Sequence, residues 1–258
     1  MRVAVRRMRA TLRAGRPLVE RRWADELRAE LGWLGRALGP VRDADVLIER
    51  LRGQATAFDE TSRQGAQTLL EGLETERQNA RTSMLAVLDS QRYRALLHRL
   101  AEAVSQPLPA CPDGVPGTAL IDLVRAEYRK LAKAVRAAGA EPPDEVLHAL
   151  RIRGKRLRYT GELAAGAGRK PVRKRVGKLV KATMRMQDVL GEHQDACVAQ
   201  QQVRRLLTGM GSSVDPNVAF AGGRLVEREQ LCRAQARQAW PAAWRRVRRR
   251  ARTLTSRS

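Results

Sequence analysis

Two rows of cations carry the strongest chemical signal in this chain of 258 residues. Near the start, Arg2, Arg6, Arg9 and Arg13 follow helical spacing and fall within about 60° of one another on a 100° wheel. Val5, Met8 and Leu12 form a separate apolar stripe on the same segment. Far downstream, His148, Arg151, Lys155 and Arg158 share one face in the same way. Like charges at i,i+4 destabilise an isolated helix by a few tenths of a kcal/mol each. Such rows therefore invite an outside counter-charge. Arginine forks offer bidentate, charge-assisted bonds to phosphate oxygens, so a polyanion is the expected partner.

The rows are duplicated. MRVAVRRMRA aligns with HALRIRGKRLRY so that Arg2, Arg6, Arg7 and Arg9 match Arg151, Lys155, Arg156 and Arg158, an offset of 149. A second pair follows, LGPVRDADV at 38–46 and LGEHQDACV at 190–198, an offset of 152. Two motifs in one order at nearly one offset indicate an internal duplication and two similar helical bundles related by a pseudo-twofold. Asp43 and Asp195 are expected just past a helix break, near a first turn, where a carboxylate complements the helix dipole, or else as clamps that hold a groove arginine in place. His193 lies in the same turn, with a structural role as natural there as ligand contact. His148, in line with three cations, is expected to hold a proton only beside an anion. His98 reads as a surface or structural histidine.

The elements that position these rows are helices. Strand signals are nearly absent, and Ala/Leu/Arg/Glu segments repeat with helical period. Helices are expected at about 2–15, 18–37, 41–53, 57–88, 91–104, 118–138, 144–166, 171–190, 192–210 and 217–250. Gly39-Pro40 should stop one helix and Pro241 should kink or interrupt the last. Pro142-Pro143-Asp144 and Asp215-Pro216 should open others. SQPLPACPDGVPG, residues 105–117, reads as a linker. It divides the chain into an N-terminal bundle, 1–104, and a C-terminal bundle, 118–258. The arginine-rich tail from Arg245 reads equally as a frayed end or an anion-binding extension.

Composition narrows the function. Lys and Arg number 50 against 27 Asp and Glu, a formal charge of +23, and 43 of the cations are arginine. Aromatics are only 3%, too few for a single-strand binder built on stacking platforms. Cys111, Cys197 and Cys232 are odd in number and unpaired in spacing, so neither a disulfide framework nor a zinc site is expected. No cofactor or metal is called for. MRVAVRRMRA has no apolar core behind its charges and no apolar run reaches the ~20 residues of a bilayer span, so the cytoplasm is the expected compartment.

These motifs resemble the CHAD domain, the conserved histidine α-helical domain. The matching segments are MRVAVRRMR, WLGRALGPVRDADVLIERL, LHALRIRGKRLRYTGEL and MQDVLGEHQDA. The resemblance spans roughly 1–210. It implies an all-α fold of two pseudo-symmetric bundles around a basic central surface, non-catalytic binding of inorganic polyphosphate, and association with polyphosphate granules. By motif match, the ligand positions it implies are Arg2, Arg6, Arg9, His148, Arg151, Lys155 and Arg158, then Arg7, Arg156 and Tyr159. Arg13, His193, Arg42, Lys178, Lys181 and Arg185 complete the candidate set. The histidine that precedes the first arginine in the family would fall before Met1. A nonspecific nucleic-acid binder is the second reading, though no helix-turn-helix, zinc-finger or RNP signature is present. A metal-dependent phosphohydrolase is the third, with Asp43 and Asp45 its nearest carboxylates.

Overall fold

A computed structural model describes residues 1–106 and 120–255. Among them every regular element is helical: α1 (Arg2–Ala14), α2 (Arg21–Ala55), α3 (Glu60–Leu88), α4 (Gln91–Ser105), α5 (Leu120–Ala138), α6 (Asp144–Ala167), α7 (Lys170–Gly209) and α8 (Pro216–Thr255). Single 3-10 turns precede α2 and α8. The expected linker from 107 onward, Cys111 within it, and the last three residues of the tail lie outside the described residues.

Local chemistry accounts for several boundaries. Glu20 accepts the backbone N–H groups of Arg22 and Trp23, both at 2.7 Å, which caps α2. Asp59 accepts the Ser62 N–H at 3.0 Å and caps α3. Gly139, at φ 74°, supplies the left-handed residue that closes α5. Pro143 stands at the N-cap of α6 with Asp144 and Glu145 in its first turn. Asp215 accepts the Asn217 N–H at 2.7 Å, and Pro216 opens α8.

At three expected interruptions the helix continues. Pro40 lies inside α2, Gly191 inside α7 and Pro241 inside α8. A proline in a helix interior costs about 3 kcal/mol, whereas each fully buried leucine contributes roughly 1.5–3 kcal/mol. Leu27, Leu31, Leu34 and Leu38 are buried before Pro40, and Leu47, Ile48, Leu51 and Ala55 after it, so packing outweighs the lost hydrogen bond. In α7 the buried positions Val176, Leu179, Thr183, Met186, Leu190 and His193 alternate by three and four straight through Gly191. In α8 Trp240, Ala243, Val247, Ala251 and Leu254 do the same around Pro241. The tail from Arg245 is consequently packed helix as far as Leu254, not a frayed end. Asp43 and Asp195 sit mid-helix, away from any N-terminal dipole.

The chain forms two compact units that cut across the sequential halves. One comprises residues 1–35, 94–191 and 239–258; the other comprises 36–93 and 192–238. Because α2, α7 and α8 run 35, 40 and 40 residues, each contributes a segment to both. The first unit is built around Val124, Leu131, Leu147, Leu150, Leu157, Val176, Leu179, Leu190 and Val247. The second is built around Leu47, Ile48, Leu51, Leu69, Leu70, Leu73, Val203 and Leu225.

Candidate functional site

The first unit contains a cleft of about 810 Å³. Nine cations line it: Arg6, Arg9 and Arg13 from α1, Arg16 just after it, Arg21 and Arg28 from α2, Lys130 from α5, and Lys155 and Arg156 from α6. Two carboxylates, Asp25 and Glu127, stand among them.

Helix packing places these side chains. α1 and α5 both pack against α6. α1 buries Val5 and turns its polar face outward, as its apolar stripe requires. α1 and α6 then offer the cleft one pattern, two adjacent residues repeated a turn later: Arg9, Ala10, Arg13 and Ala14 from one, Lys155, Arg156, Tyr159 and Thr160 from the other. Arg9 is seated on glycines of α2. A Cβ at Gly32 would lie 3.4 Å from Arg9 Nη2, and one at Gly35 would lie 3.7 Å from Nη1. Arg151 rests similarly on α7, where a Cβ at Gly191 would lie 3.7 Å from its Nε.

Charge balance within the cleft is uneven. Asp25 accepts from Arg16 Nε at 3.0 Å, from Arg16 Nη2 at 2.6 Å and from Arg28 Nη1 at 2.8 Å. The Arg16 hydrogen bond, with Arg28 behind it, holds the Asp25 carboxyl below the usual range, and the same bond raises Arg16. Glu127 accepts from Lys130 Nζ at 2.7 Å, an i,i+3 pair. Arg6, Arg9 and Arg21 make no ion pair with a carboxylate among the described residues. Arg13 is pushed down from the usual guanidinium value, first by partial burial, then by Arg156 and Arg28, with Glu127 opposing. Arg156 Nε is buried and has no hydrogen-bond partner among the described residues. Such a surface can bind an extended anion through several forks at once.

Of the sixteen residues singled out in the sequence, the structure brings Arg6, Arg9, Arg13, Lys155, Arg156 and Tyr159 to this cleft. Arg158 turns instead to Glu162 at 2.8 Å and Gln187 at 3.1 Å, and lies 4.9 Å above the Tyr159 ring. Arg7 is exposed, 3.6 Å from the Glu162 carboxylate. Arg2, His148 and Arg151 are half-buried and do not line the cleft. His193 is 1% exposed and does not line the cleft, in keeping with the structural of its two readings. Arg42, Lys178, Lys181 and Arg185 are exposed away from the cleft lining. His98 is on the surface, 3.3 Å from Glu102. Arg16, Arg21, Arg28 and Lys130 also line the cleft and were outside the candidate set; Arg21 and Arg28 lie in ERRWADELRAE, where acids and bases mix and no cationic row stands out.

A protein-family model described as the CHAD domain matches residues 1–204. Two uncharacterized proteins of Mycobacterium tuberculosis, from strains CDC 1551 / Oshkosh and ATCC 25618 / H37Rv, are each 31% identical over 96% of this chain. The match takes in 47% of each relative, so the chain spans about half the length of the curated relatives it matches. Among solved structures, PptA from Streptomyces chartreusis superposes with a TM-score of 0.74 at 23% identity, over 95% of this chain and 87% of that one. At that identity the likeness is one of fold. Among the described residues, no helix is long and apolar enough to cross a membrane.

Proposed function

The chain belongs to the CHAD domain family, and from that premise we propose that it binds inorganic polyphosphate, without turning it over, in the cleft lined by α1, α2, α5 and α6. One observation carries the reading: nine cations line a single cleft that holds two carboxylates. A polyphosphate chain supplies the missing counter-charge continuously and presents no bases to stack. The cleft suits this. Its aromatic residue, Tyr159, is 6% exposed and offers no open ring face. Both carboxylates of the cleft pair with cations, Asp25 with Arg16 and Glu127 with Lys130, so the cations dominate its lining. In the cell such binding would place the protein on polyphosphate granules. The duplicated motifs and the matched helix order α1–α2–α3 and α6–α7–α8 support descent from a duplication.

The test is titration with long-chain polyphosphate at several salt concentrations. Affinity should fall steeply as salt rises, through counterion release, by analogy with nucleic acids. The variant Arg13→Ala, Lys155→Ala, Arg156→Ala should bind at least a hundredfold more weakly, at about 1–3 kcal/mol per lost charge-assisted contact, with helicity at 222 nm unchanged. Unchanged affinity in that variant would sink the cleft assignment. Displacement of polyphosphate by duplex DNA or RNA at equal charge concentration would favour a nucleic-acid role. Phosphate release with added Mg²⁺ or Mn²⁺ would contradict the non-catalytic reading.

A further inference from the structure

Asp25 occupies an unusual place for a residue of a polyanion cleft. It accepts three contacts from Arg16, at 3.0, 3.0 and 2.6 Å, and a fourth from Arg28 at 2.8 Å. Two guanidinium forks that line the cleft are therefore turned onto one internal carboxylate. The geometry is that of a bidentate Arg–anion contact with the protein's own anion in the ligand's role. The second acid, Glu127, answers a cation of its own helix one turn away. Asp25 instead draws Arg16 in across the junction between α1 and α2.

The three side chains are 42, 39 and 37% exposed for Arg16, Asp25 and Arg28. A ligand can reach them, and an exposed pair of this kind is held only weakly against competition in water. Resting on the polyphosphate reading above, we propose that Asp25 is a built-in competitor that sets the specificity of the cleft: an arriving anion must displace its carboxylate from Arg16 and Arg28 to gain both forks. A small or singly charged anion gains too little to do so. A polyphosphate chain, anchored elsewhere in the cleft by Arg6, Arg9 and Arg13, delivers its next phosphate at high effective concentration and prevails. Asp25 thus raises the charge threshold for binding and lowers affinity for every anion. This is the opposite of what an acid that merely positions two arginines would do.

The test is Asp25→Asn, which keeps the side-chain shape and removes the charge. With long-chain polyphosphate at near-physiological salt, Asp25→Asn should bind roughly tenfold more tightly than the parent, the scale of one further charge-assisted contact. The slope of log affinity against log salt should steepen by about 1, because one more cation is free to release its counterion. The relative gain should be larger for tripolyphosphate than for long chains. Asp25→Asn, Arg16→Ala should return toward the parent affinity. Equal or weaker binding by Asp25→Asn overturns the proposal and makes Asp25 a positioning residue. Should neither protein bind polyphosphate, the functional reading falls, and inorganic sulfate then decides the competitor role: its stabilisation of Tm should be greater in Asp25→Asn, and an equal rise overturns the proposal. If Asp25→Asn loses helicity, Asp25→Ser carries the same expectations.

Discussion

Arg158 and Arg156 are two residues apart on α6, and their different fates mark what one sequence can and cannot reveal. Both are cations of the duplicated motif. Only Arg156 reaches the cleft; Arg158 is held by Glu162 and Gln187 and lies over Tyr159. The wheel identified the motif but not which side of α6 a neighbouring helix would cover, since that depends on partners distant in sequence. The rows of α1 were legible because one apolar stripe fixed their orientation. The second row was less so: α6 buries residues on several sides, from Leu147 and Leu150 to Leu157, Tyr159 and Thr160. Arg158→Ala is accordingly expected to change polyphosphate affinity less than twofold, a small fraction of the effect of Arg156→Ala. Parallel titrations of the two variants check this, and equal losses would contradict the placement. A second residue-scale expectation concerns Asp59. The backbone N–H of Ser62, then Arg224, hold its carboxyl down to about 2 from the ordinary 3.8. A carboxylate lowered on folding stabilises the protein above its unfolded value, and that contribution fades as pH falls through the folded one. The parent should therefore exceed Asp59→Asn in Tm above pH 4, and the gap should narrow as pH approaches 2. A gap that stays constant over that range would remove Asp59 from the account.

The long helices are where local punctuation and packing disagree. Gly39-Pro40, Gly191 and Pro241 are sound local stop signals, yet α2, α7 and α8 continue through them. What a local reading lacks is the burial on either side: Leu31 and Leu51 in α2, and Leu190 and Ala196 in α7, are at most 1% exposed. Where the signal coincides with the end of an apolar stripe, as at Pro143 or Asp215, sequence and structure agree. Glycines show the same dependence on neighbours. In the second unit a Cβ at Gly65 of α3 would collide with the Asn217 carbonyl oxygen and lie 3.1 Å from the Ala221 Cβ of α8. Backbone cannot yield as a side-chain tip can, so Gly65→Ala should destabilise by about 2 kcal/mol or more, in the range of overpacked cores. Gly223 of α8 has nothing within 4 Å of its would-be Cβ, and Gly223→Ala should stabilise by about 0.5–1 kcal/mol through helix propensity. Urea denaturation of both variants measures the pair. Equal signs would show that the close approach of α3 to α8 is not a constraint on the fold.

At the scale of the whole molecule, fold class and charge were legible, whereas the partition into units was not. Each unit gathers segments from both ends of the chain, and no linker marks their border, because the border falls within helices. Within the second unit Arg50 joins α2 to α8 at Glu229, which is 0% exposed, and to Glu192. Burial works against the Arg50 charge, but the two carboxylates outweigh it and raise its guanidinium. The cleft lies in the other unit, which makes the site of ligand action predictable along the sequence. A chain of formal charge +23 would gain something from any polyanion through general neutralisation, so a rise in Tm alone does not locate binding. Hydrogen exchange does. If polyphosphate seats in the cleft, amides of α1, the first turns of α2, α5 and the middle of α6 should exchange more slowly in its presence. Those of α3, which contributes nothing to the cleft, should change little. General neutralisation would instead slow exchange wherever exposed arginines gather, including Arg245, Arg246, Arg248 and Arg249 on α8. Slowing confined to that end of α8, with α1 and α6 unchanged, would move the anion site out of the cleft altogether.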